Sequence, residues 1–375
     1  MELIKKIRPL AQEHWWITPL VIFMVWRLGV EIAGRTILHF TPPVMQPWPS
    51  DPFPPLWARW DSGWYSSILT YGYQLRQGVM SNVTFFPLYP LLWKAVWFTT
   101  GLPRLAAGVL TANLAAAGFS LIFLRWVQMQ WNTNTAQRAL LAILAFPASF
   151  FLIAAYSESI FVLLAALTFL LAYRKQWLSA SLAVALASAT RPLGIILWPI
   201  LLWLWWQDNK SLTKQLNHQI LFVLAVPPLG LAAFSYYLWL HTGQPLAWLY
   251  GQTEAGRQLA LPIRLLAAYA HDIISRGQLW ARHLGEAASL IFAAVTLPKT
   301  WRLNAAYGAF VILSLLPPLG TNTLASLPRF VLTLLPLFIA VAQVKSRWLY
   351  LTYLMAAVPL LVFNLSQFIT WQYAS

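Results

Sequence analysis

The chain has 375 residues, of which 59% are hydrophobic and only 9% are charged, and its formal net charge at pH 7 is +15. Soluble domains carry roughly 25% charged residues, so this composition excludes a soluble protein and predicts one that lies in a membrane. The positive charge does not indicate a nucleic-acid-binding protein, because single Lys and Arg residues are scattered between apolar segments and form no basic patch. The chain contains no cysteine, which excludes disulfides and thiolate metal sites.

Apolar runs recur along the whole chain at lengths that suit membrane-spanning helices, about 17 to 25 residues. The first run is too long for a signal peptide and lacks a small-residue cleavage site, so we expect it to be a retained anchor. The basic residues in 1–14 predict a cytoplasmic start, and every short inner loop then carries at least two basic residues. The predicted spans are 15–32, 105–123, 140–155, 159–172, 178–189, 192–206, 220–240, 284–297, 303–316, 329–342 and 348–368.

Two long polar segments, at about 35–101 and 241–284, fall on the outer side in this topology. The first is rich in proline and contains two predicted interfacial helices, at 57–71 and from 85 to Gly101. No internal repeat and no separate soluble domain is evident. The sequence therefore predicts an all-α, polytopic membrane protein of about eleven transmembrane helices, with residues 1–375 forming one domain.

Asp61 stands out in the first outer segment. If 57–71 is a helix, its tryptophans share one face, and Asp61 lies within that aromatic stripe. A carboxylate on an apolar face is costly unless it has a partner or a function. A base at the membrane surface could take a proton from an acceptor hydroxyl, and the structural alternative is an ion pair with Arg59.

Three further charged residues lie at predicted helix starts on the same side. Glu158 either complements a helix dipole behind a capping Ser157, or acts as a second carboxylate that positions substrate or balances a basic residue. Arg191 and Arg329 each oppose the dipole of the helix they begin, which predicts an anion such as a phosphate beside them. The alternative for both arginines is interfacial snorkelling.

No metal or cofactor site is predicted. The histidines of segment 241–284 show no metal-ligand spacing, and the acidic residues around them are interpreted as loop residues. Nucleotide-binding and Ser-hydrolase motifs are absent from the sequence, which argues against ATP-driven transport.

Five motifs occur in the order known from one family. They are Arg59-Trp60-Asp61-Ser62, Phe85-Phe86-Pro87-Leu88-Tyr89-Pro90, Pro147-Ala148-Ser149 with Ala155-Tyr156-Ser157-Glu158-Ser159, Thr190-Arg191-Pro192-Leu193-Gly194, and Pro328-Arg329-Phe330. Together they resemble the PIG-V family, the dolichyl-phosphate-mannose-dependent mannosyltransferases that add the second mannose of GPI anchors. That family belongs to the GT-C glycosyltransferases. The resemblance implies a multi-span GT-C fold, an acidic residue in the first outer loop acting as base, and inverting transfer from a polyprenyl-phosphate sugar without a metal.

Carried over by position, the resemblance makes Asp61 the catalytic residue. The substrate-binding candidates are Glu158, Arg191, Arg329, Arg59, Trp64, Phe86, Tyr89 and Tyr156. The chain departs from the family at Pro192-Leu193, where eukaryotic members look like Arg-Ser-Asn-Gly. Compact loops also look prokaryotic, and bacteria lack GPI anchors, so a GPI precursor is not the expected acceptor.

The sequence thus predicts an inner-membrane glycosyltransferase with its active site on the extracytoplasmic side. It would transfer a hexose, with mannose expected, from a polyprenyl-phosphate donor to a hydroxyl of a lipid, glycan or protein acceptor. One alternative is a transporter or flippase of a lipid-linked sugar, which would be expected to show broken spans in two related halves. Another is a non-catalytic subunit of a membrane complex, in which Asp61 would be expendable.

Overall fold

The structure, a computed structural model, describes residues 14–44, 56–76, 78–209, 219–254, 256–276 and 280–372. Within those ranges all regular elements are helices, and the one β pairing is an isolated antiparallel bridge between Leu259 and Thr321. The predicted all-α, polytopic architecture is therefore confirmed. Most of the predicted cytoplasmic start at 1–14 and the proline-rich stretch 45–55 lie outside the described residues.

The helices follow one another with short connections. Those in the first part of the chain are α1 (Ile17–Phe40), α2 (Ser62–Tyr71), α3 (Leu88–Thr100), α4 (Arg104–Gln130), α5 (Thr133–Ala145), α6 (Glu158–Tyr173), α7 (Trp177–Ser188) and α8 (Leu197–Asn209). Those in the second part are α9 (Gln219–Ala225), α10 (Leu229–Thr242), α11 (Ala247–Glu254), α12 (Pro262–Arg276), α13 (Trp280–Leu303), α14 (Ala305–Leu319), α15 (Leu327–Leu332), α16 (Leu335–Ala342) and α17 (Arg347–Ile369). Short 3-10 helices occur at Asn82–Thr84, Ser149–Leu152 and Pro192–Ile196.

Several of these helices have the length and composition of membrane spans. Four described stretches are long and apolar enough to cross a membrane, namely α1, α4, α17 and the stretch Gln219–Thr242 that α9 and α10 form. Pro227 and Pro228 divide that stretch, because a proline has no N–H to donate to the preceding turn. Most predicted spans coincide with a helix or an interrupted pair of helices. The predicted span 140–155 does not, because Pro147 stops α5 at Ala145 and only turns and a 3-10 helix follow. The count of eleven spans stays a prediction.

The second predicted interfacial helix is present as α3, and it ends where expected, at Gly101 with a left-handed φ of 66°. It is held tightly against α4. The Trp93 indole donates to the Arg104 carbonyl at 2.6 Å, and the Tyr89 hydroxyl donates to the Gly108 carbonyl at 3.0 Å. Gly108 allows this approach, because a Cβ atom there would overlap the Trp93 ring.

The predicted start of the first interfacial helix, at residue 57, is wrong. Helix α2 begins at Ser62, and Trp60 adopts a left-handed φ of 49°, so residues 57–60 are not part of a helical face. Trp57 is instead buried, and its indole donates to the Glu31 carboxylate of α1 at 2.7 Å. Asp61 therefore lies at the N-cap position of a short helix, at the end of a sharp turn, and not within an aromatic stripe.

The segment 241–284 is more ordered than its polar composition indicated. It contains α11, the amphipathic helix α12 and the first residues of α13. Glu286, interpreted from the sequence as a loop residue, is a fully buried residue of α13. The polar face of α12 conceals its helical period when the segment is judged by composition alone.

Candidate functional site

Four charged side chains from distant parts of the chain meet in one charged network, formed by Asp61, Glu158, Arg191 and Arg329. Arg329 Nη1 lies 2.8 Å from Asp61 Oδ2, and Arg329 Nε donates to Glu158 Oε1 at 2.7 Å. Arg191 Nη1 lies 2.6 Å from the same Glu158 oxygen. The contacts join Asp61 to Arg329, Arg329 to Glu158, and Glu158 to Arg191. Each cation therefore has a carboxylate partner.

The exposed fraction of the side chain increases across this charged network from Glu158 to Asp61. The Glu158 side chain is 0% exposed, Arg191 and Arg329 are 12% exposed, and Asp61 is 27% exposed. Glu158 is therefore the buried centre, and its partners are needed because an isolated charge in such a place would be very costly. Asp61 is the carboxylate of the network that a bound molecule can reach.

Two tyrosines hold the network in place. The Asp61 backbone N–H donates to the Tyr156 hydroxyl at 3.1 Å, and Arg329 lies over the Tyr156 ring at 4.7 Å from its centroid. The Tyr65 hydroxyl donates to Ser157 Oγ at 2.8 Å. Burial raises the pKa of Tyr65 and of Tyr156, so both hydroxyls stay protonated at neutral pH.

These contacts decide between the alternatives left open by the sequence. The ion-pair partner of Asp61 is Arg329, not Arg59. Ser157 makes no side-chain cap to α6, so the charge on Glu158 serves the two arginines more directly than the helix dipole. Arg191 and Arg329 oppose the dipoles of their own helices, and the negative charge of Glu158 compensates for this.

Arg59 differs from the other cations. It is only 3% exposed and lies across the Trp371 ring, with its central carbon 5.4 Å from the ring centroid. Its Nε and Nη1 atoms are buried and have no hydrogen-bond partner among the described residues. Burial lowers the pKa of Arg59 to about 10, which still leaves it cationic at neutral pH.

Three aromatic candidates pack mainly against other rings and helices. Trp64 stacks on Phe85, with ring centroids 6.0 Å apart. Phe86 is buried in a second apolar cluster against Phe234, and Tyr89 is buried against α4. A substrate contact for Phe86 or Tyr89 stays a prediction, and their packing between helices gives it no support.

Arg257 belongs to the site although the sequence analysis did not single it out. Its guanidinium lies 5.6 Å from the centroid of the Phe330 ring, and that of Arg191 lies 5.8 Å from the same ring. Arg257 Nη2 also donates to the Ala325 carbonyl at 3.2 Å. No local signal marks this residue, because Ala325 and Phe330 are 68 or more positions away along the chain.

The loop carrying Arg257 is joined to the segment that leads into α15. Gln258 and Asn322 exchange two hydrogen bonds of 2.9 Å, and the Ala260 N–H donates to the Gly320 carbonyl at 2.9 Å. These bonds, with the Leu259–Thr321 bridge, hold the loop of Arg257 against the segment that precedes α15.

No protein-family model and no curated protein matches the chain. Among solved structures, ArnT from Cupriavidus metallidurans bound to undecaprenyl phosphate is similar, with 10% identity and a TM-score of 0.52 over 92% of this chain and 75% of that one. The Archaeoglobus fulgidus oligosaccharyltransferase tethered with an acceptor peptide has 12% identity and a TM-score of 0.48, over 96% of this chain and 56% of its own. AglB from Archaeoglobus fulgidus, in complex with an inhibitory peptide and a dolichol-phosphate, has 13% identity and a TM-score of 0.46, over 97% of this chain and 57% of its own.

The chain is an integral membrane protein with the fold of GT-C glycosyltransferases. This assignment rests on the similarity to ArnT, which at 10% identity concerns the fold alone. It confirms the fold that the sequence motifs implied, whereas membership of the GT-C superfamily and of the PIG-V family stays a prediction. The chain spans little more than half of the archaeal oligosaccharyltransferases.

Proposed function

We propose that this protein is a glycosyltransferase that moves a hexose from a polyprenyl-phosphate donor to an acceptor hydroxyl with inversion at the anomeric carbon. The observation that carries the proposal is Asp61, the partly exposed carboxylate of an otherwise buried charged network in a GT-C fold. ArnT, which shares the fold, was crystallised with undecaprenyl phosphate, and this supports a lipid phosphate as the donor class. Mannose as the sugar rests on the resemblance to the PIG-V family.

In this mechanism Asp61 is the base. Arg329 holds Oδ2 of the carboxylate, and Oδ1 has no hydrogen bond to any described residue, so an acceptor hydroxyl can donate to it. The hydroxyl proton passes to the carboxylate while the hydroxyl oxygen bonds to the anomeric carbon. The bond from that carbon to the phosphate oxygen breaks, and its electron pair leaves with the polyprenyl phosphate.

Arg191 and Arg329 would stabilise the charge that grows on the departing phosphate. Each guanidinium has five N–H donors, and the contacts to Glu158 and Asp61 use only part of them. Glu158 keeps both guanidiniums in position before substrate arrives, so little reorganisation is needed during the reaction. In this role Glu158 is a positioning residue.

We place the reaction on the extracytoplasmic side of a bacterial inner membrane. The basic inner loops support this orientation, because it sets Asp61 and the loop of Arg257 on the opposite side from them. The acceptor would be a lipid, glycan or protein hydroxyl presented at that surface. The proposed steps use only side chains of this chain.

A transporter of a lipid-linked sugar is the second candidate, and the break between α15 and α16 favours it. Helix α15 ends at Leu332 and α16 begins at Leu335, so the span that carries Arg329 is discontinuous beside the site. Transporters often bind anions at such interrupted helices. A transporter would move the labelled lipid across a bilayer without forming a new glycosidic bond.

The deciding experiment uses purified protein in lipid vesicles, labelled polyprenyl-phosphate-mannose, and a membrane lipid and glycan extract as acceptor. We expect labelled product from wild-type protein and at least a 100-fold loss in Asp61→Asn. Asp208→Asn is the matched control, because Asp208 pairs with Lys175 at 2.6 Å away from the charged network. Wild-type rates in Asp61→Asn contradict the proposal, and label crossing the bilayer without product identifies a transporter.

A further inference from the structure

Arg59 is a buried cation for which the described part of the fold provides no ion pair. Two of its nitrogens are buried without hydrogen-bond partners, and its guanidinium meets the flat side of the Trp371 indole. Leaving a buried donor unsatisfied destabilises a fold, and the more so when the group is charged. Such a residue therefore lowers the stability of the fold unless a ligand binds it.

The charged network cannot supply what Arg59 lacks. Its two carboxylates are already matched by Arg191 and Arg329, so the four side chains have a formal charge of zero. Arg59 lies two residues before Asp61 along the chain, and its positive charge is additional to this neutral set. An anionic group entering beside Asp61 would therefore meet an unmatched cation there.

Backbone strain is concentrated at the same place. Trp60 has a φ of 49° and Trp371 a φ of 60°, and both are tryptophans in the left-handed region. The two indoles contact each other with ring centroids 5.1 Å apart, and the Trp60 indole donates to the Phe368 carbonyl at 3.2 Å. Strained residues of this kind cluster at ligand-binding sites and at elements that move.

We propose that Arg59 binds a phosphate group of the substrate in a site beside Asp61 that the Trp371 indole covers when no ligand is present. The phosphate oxygens would accept from Nε and Nη1, in the forked arrangement that guanidinium and phosphate form together. The indole would move aside on binding, because its ring lies against the guanidinium group. This inference rests on the function proposed above and names the anion that its substrate carries.

The phosphate could belong to either substrate. A donor phosphate would reach Arg59 as the polyprenyl phosphate enters the site. An acceptor phosphate would reach it if the hydroxyl that meets Asp61 belongs to a phospholipid headgroup or a sugar phosphate. Binding measurements distinguish these sources, and they do not require turnover.

The test compares wild-type protein with Arg59→Met in detergent, using thermal unfolding to follow binding of inorganic phosphate, decaprenyl phosphate and glycerol 3-phosphate. Methionine fills a similar volume without charge, so we expect Arg59→Met to be at least as stable as wild type without ligand. We expect its half-saturating phosphate concentration to rise about 10-fold or more. Arg76→Met is the control, because Arg76 is exposed in the segment that follows α2 and donates to Gln74 at 3.1 Å.

The ligands separate the outcomes. Loss of the decaprenyl phosphate response assigns the site to the donor, and loss of the glycerol 3-phosphate response alone assigns it to the acceptor. Equal binding of all three ligands by wild type and Arg59→Met overturns the inference, even if the transfer assay succeeds. If Arg59→Met does not fold, Arg59→Lys keeps the charge without the fork, and unchanged phosphate affinity in that variant overturns it as well.

Discussion

Arg329 binds Asp61 across 268 positions of sequence, with Nη1 of the arginine 2.8 Å from Oδ2 of the carboxylate. The same guanidinium donates to Glu158, so one side chain joins the exposed carboxylate to the buried one. The orientation of Asp61 is therefore set by α15 and α6, although Asp61 itself lies in the loop before α2. This relationship determines what substitutions around the site should do.

Glu158→Gln should destabilise the fold by about 3–5 kcal/mol, because it leaves Arg191 and Arg329 buried with only one carboxylate between them. Denaturant unfolding of the purified variants, followed by near-ultraviolet circular dichroism, measures the effect. Glu254→Gln is the control, since Glu254 is exposed at the end of α11, and it should change stability little. A Glu158→Gln variant as stable as wild type would show that the arginines have found other partners.

Arg329→Lys should lower kcat/KM for transfer by about 30- to 150-fold while the protein still inserts and folds. A lysine keeps the charge but has no planar fork, so it cannot hold Asp61 and Glu158 together in this geometry. Steady-state rates with labelled donor test this, and Arg347→Lys at the exposed start of α17 is the control. If the lysine variant keeps wild-type kcat/KM, the charge alone accounts for the role of Arg329.

Arg257→Gln should raise the KM for the donor about 10-fold with a smaller change in kcat. Arg257 lies against Phe330 and donates to the Ala325 carbonyl, so its loss loosens the loop next to Arg329 and removes a cation from the approach to the site. Arg264→Gln, an exposed arginine of α12, should leave both constants unchanged. Equal effects of the two substitutions would reduce the role of Arg257 to general surface charge.

Gly108→Ala should cost about 1–3 kcal/mol, because the added methyl group meets the Trp93 ring and separates α3 from α4. Gly29→Ala offers a contrast inside α1, since nothing lies within 4 Å of a Cβ atom there. That substitution should be neutral or stabilise the protein by up to about 1 kcal/mol. Thermal unfolding in detergent compares the two, and equal destabilisation would contradict the tight packing of α3.

Local sequence was enough to predict the membrane class, the helices at most of the predicted spans and the end of α3 at Gly101. These features depend on the length of apolar runs and on residues at helix ends, which neighbours in sequence decide. The start of α2 was not predictable in this way. Its position depends on the left-handed turn at Trp60, and the Trp57 indole beside that turn bonds to Glu31 of α1.

The sequence by itself determined that Asp61, Glu158, Arg191 and Arg329 needed partners or ligands, since charge at an apolar face or at the wrong helix end is unfavourable. Only the tertiary structure decided that these four satisfy one another, that Arg257 joins them at Phe330, and that Arg59 is left without an ion pair in the part of the chain described. It also showed that Phe86 and Tyr89 pack between helices, and a substrate contact for either stays a prediction. The reason is that ion pairing between these side chains depends on which helix ends lie close in space. That arrangement results from the packing of apolar faces between helices that are far apart in sequence.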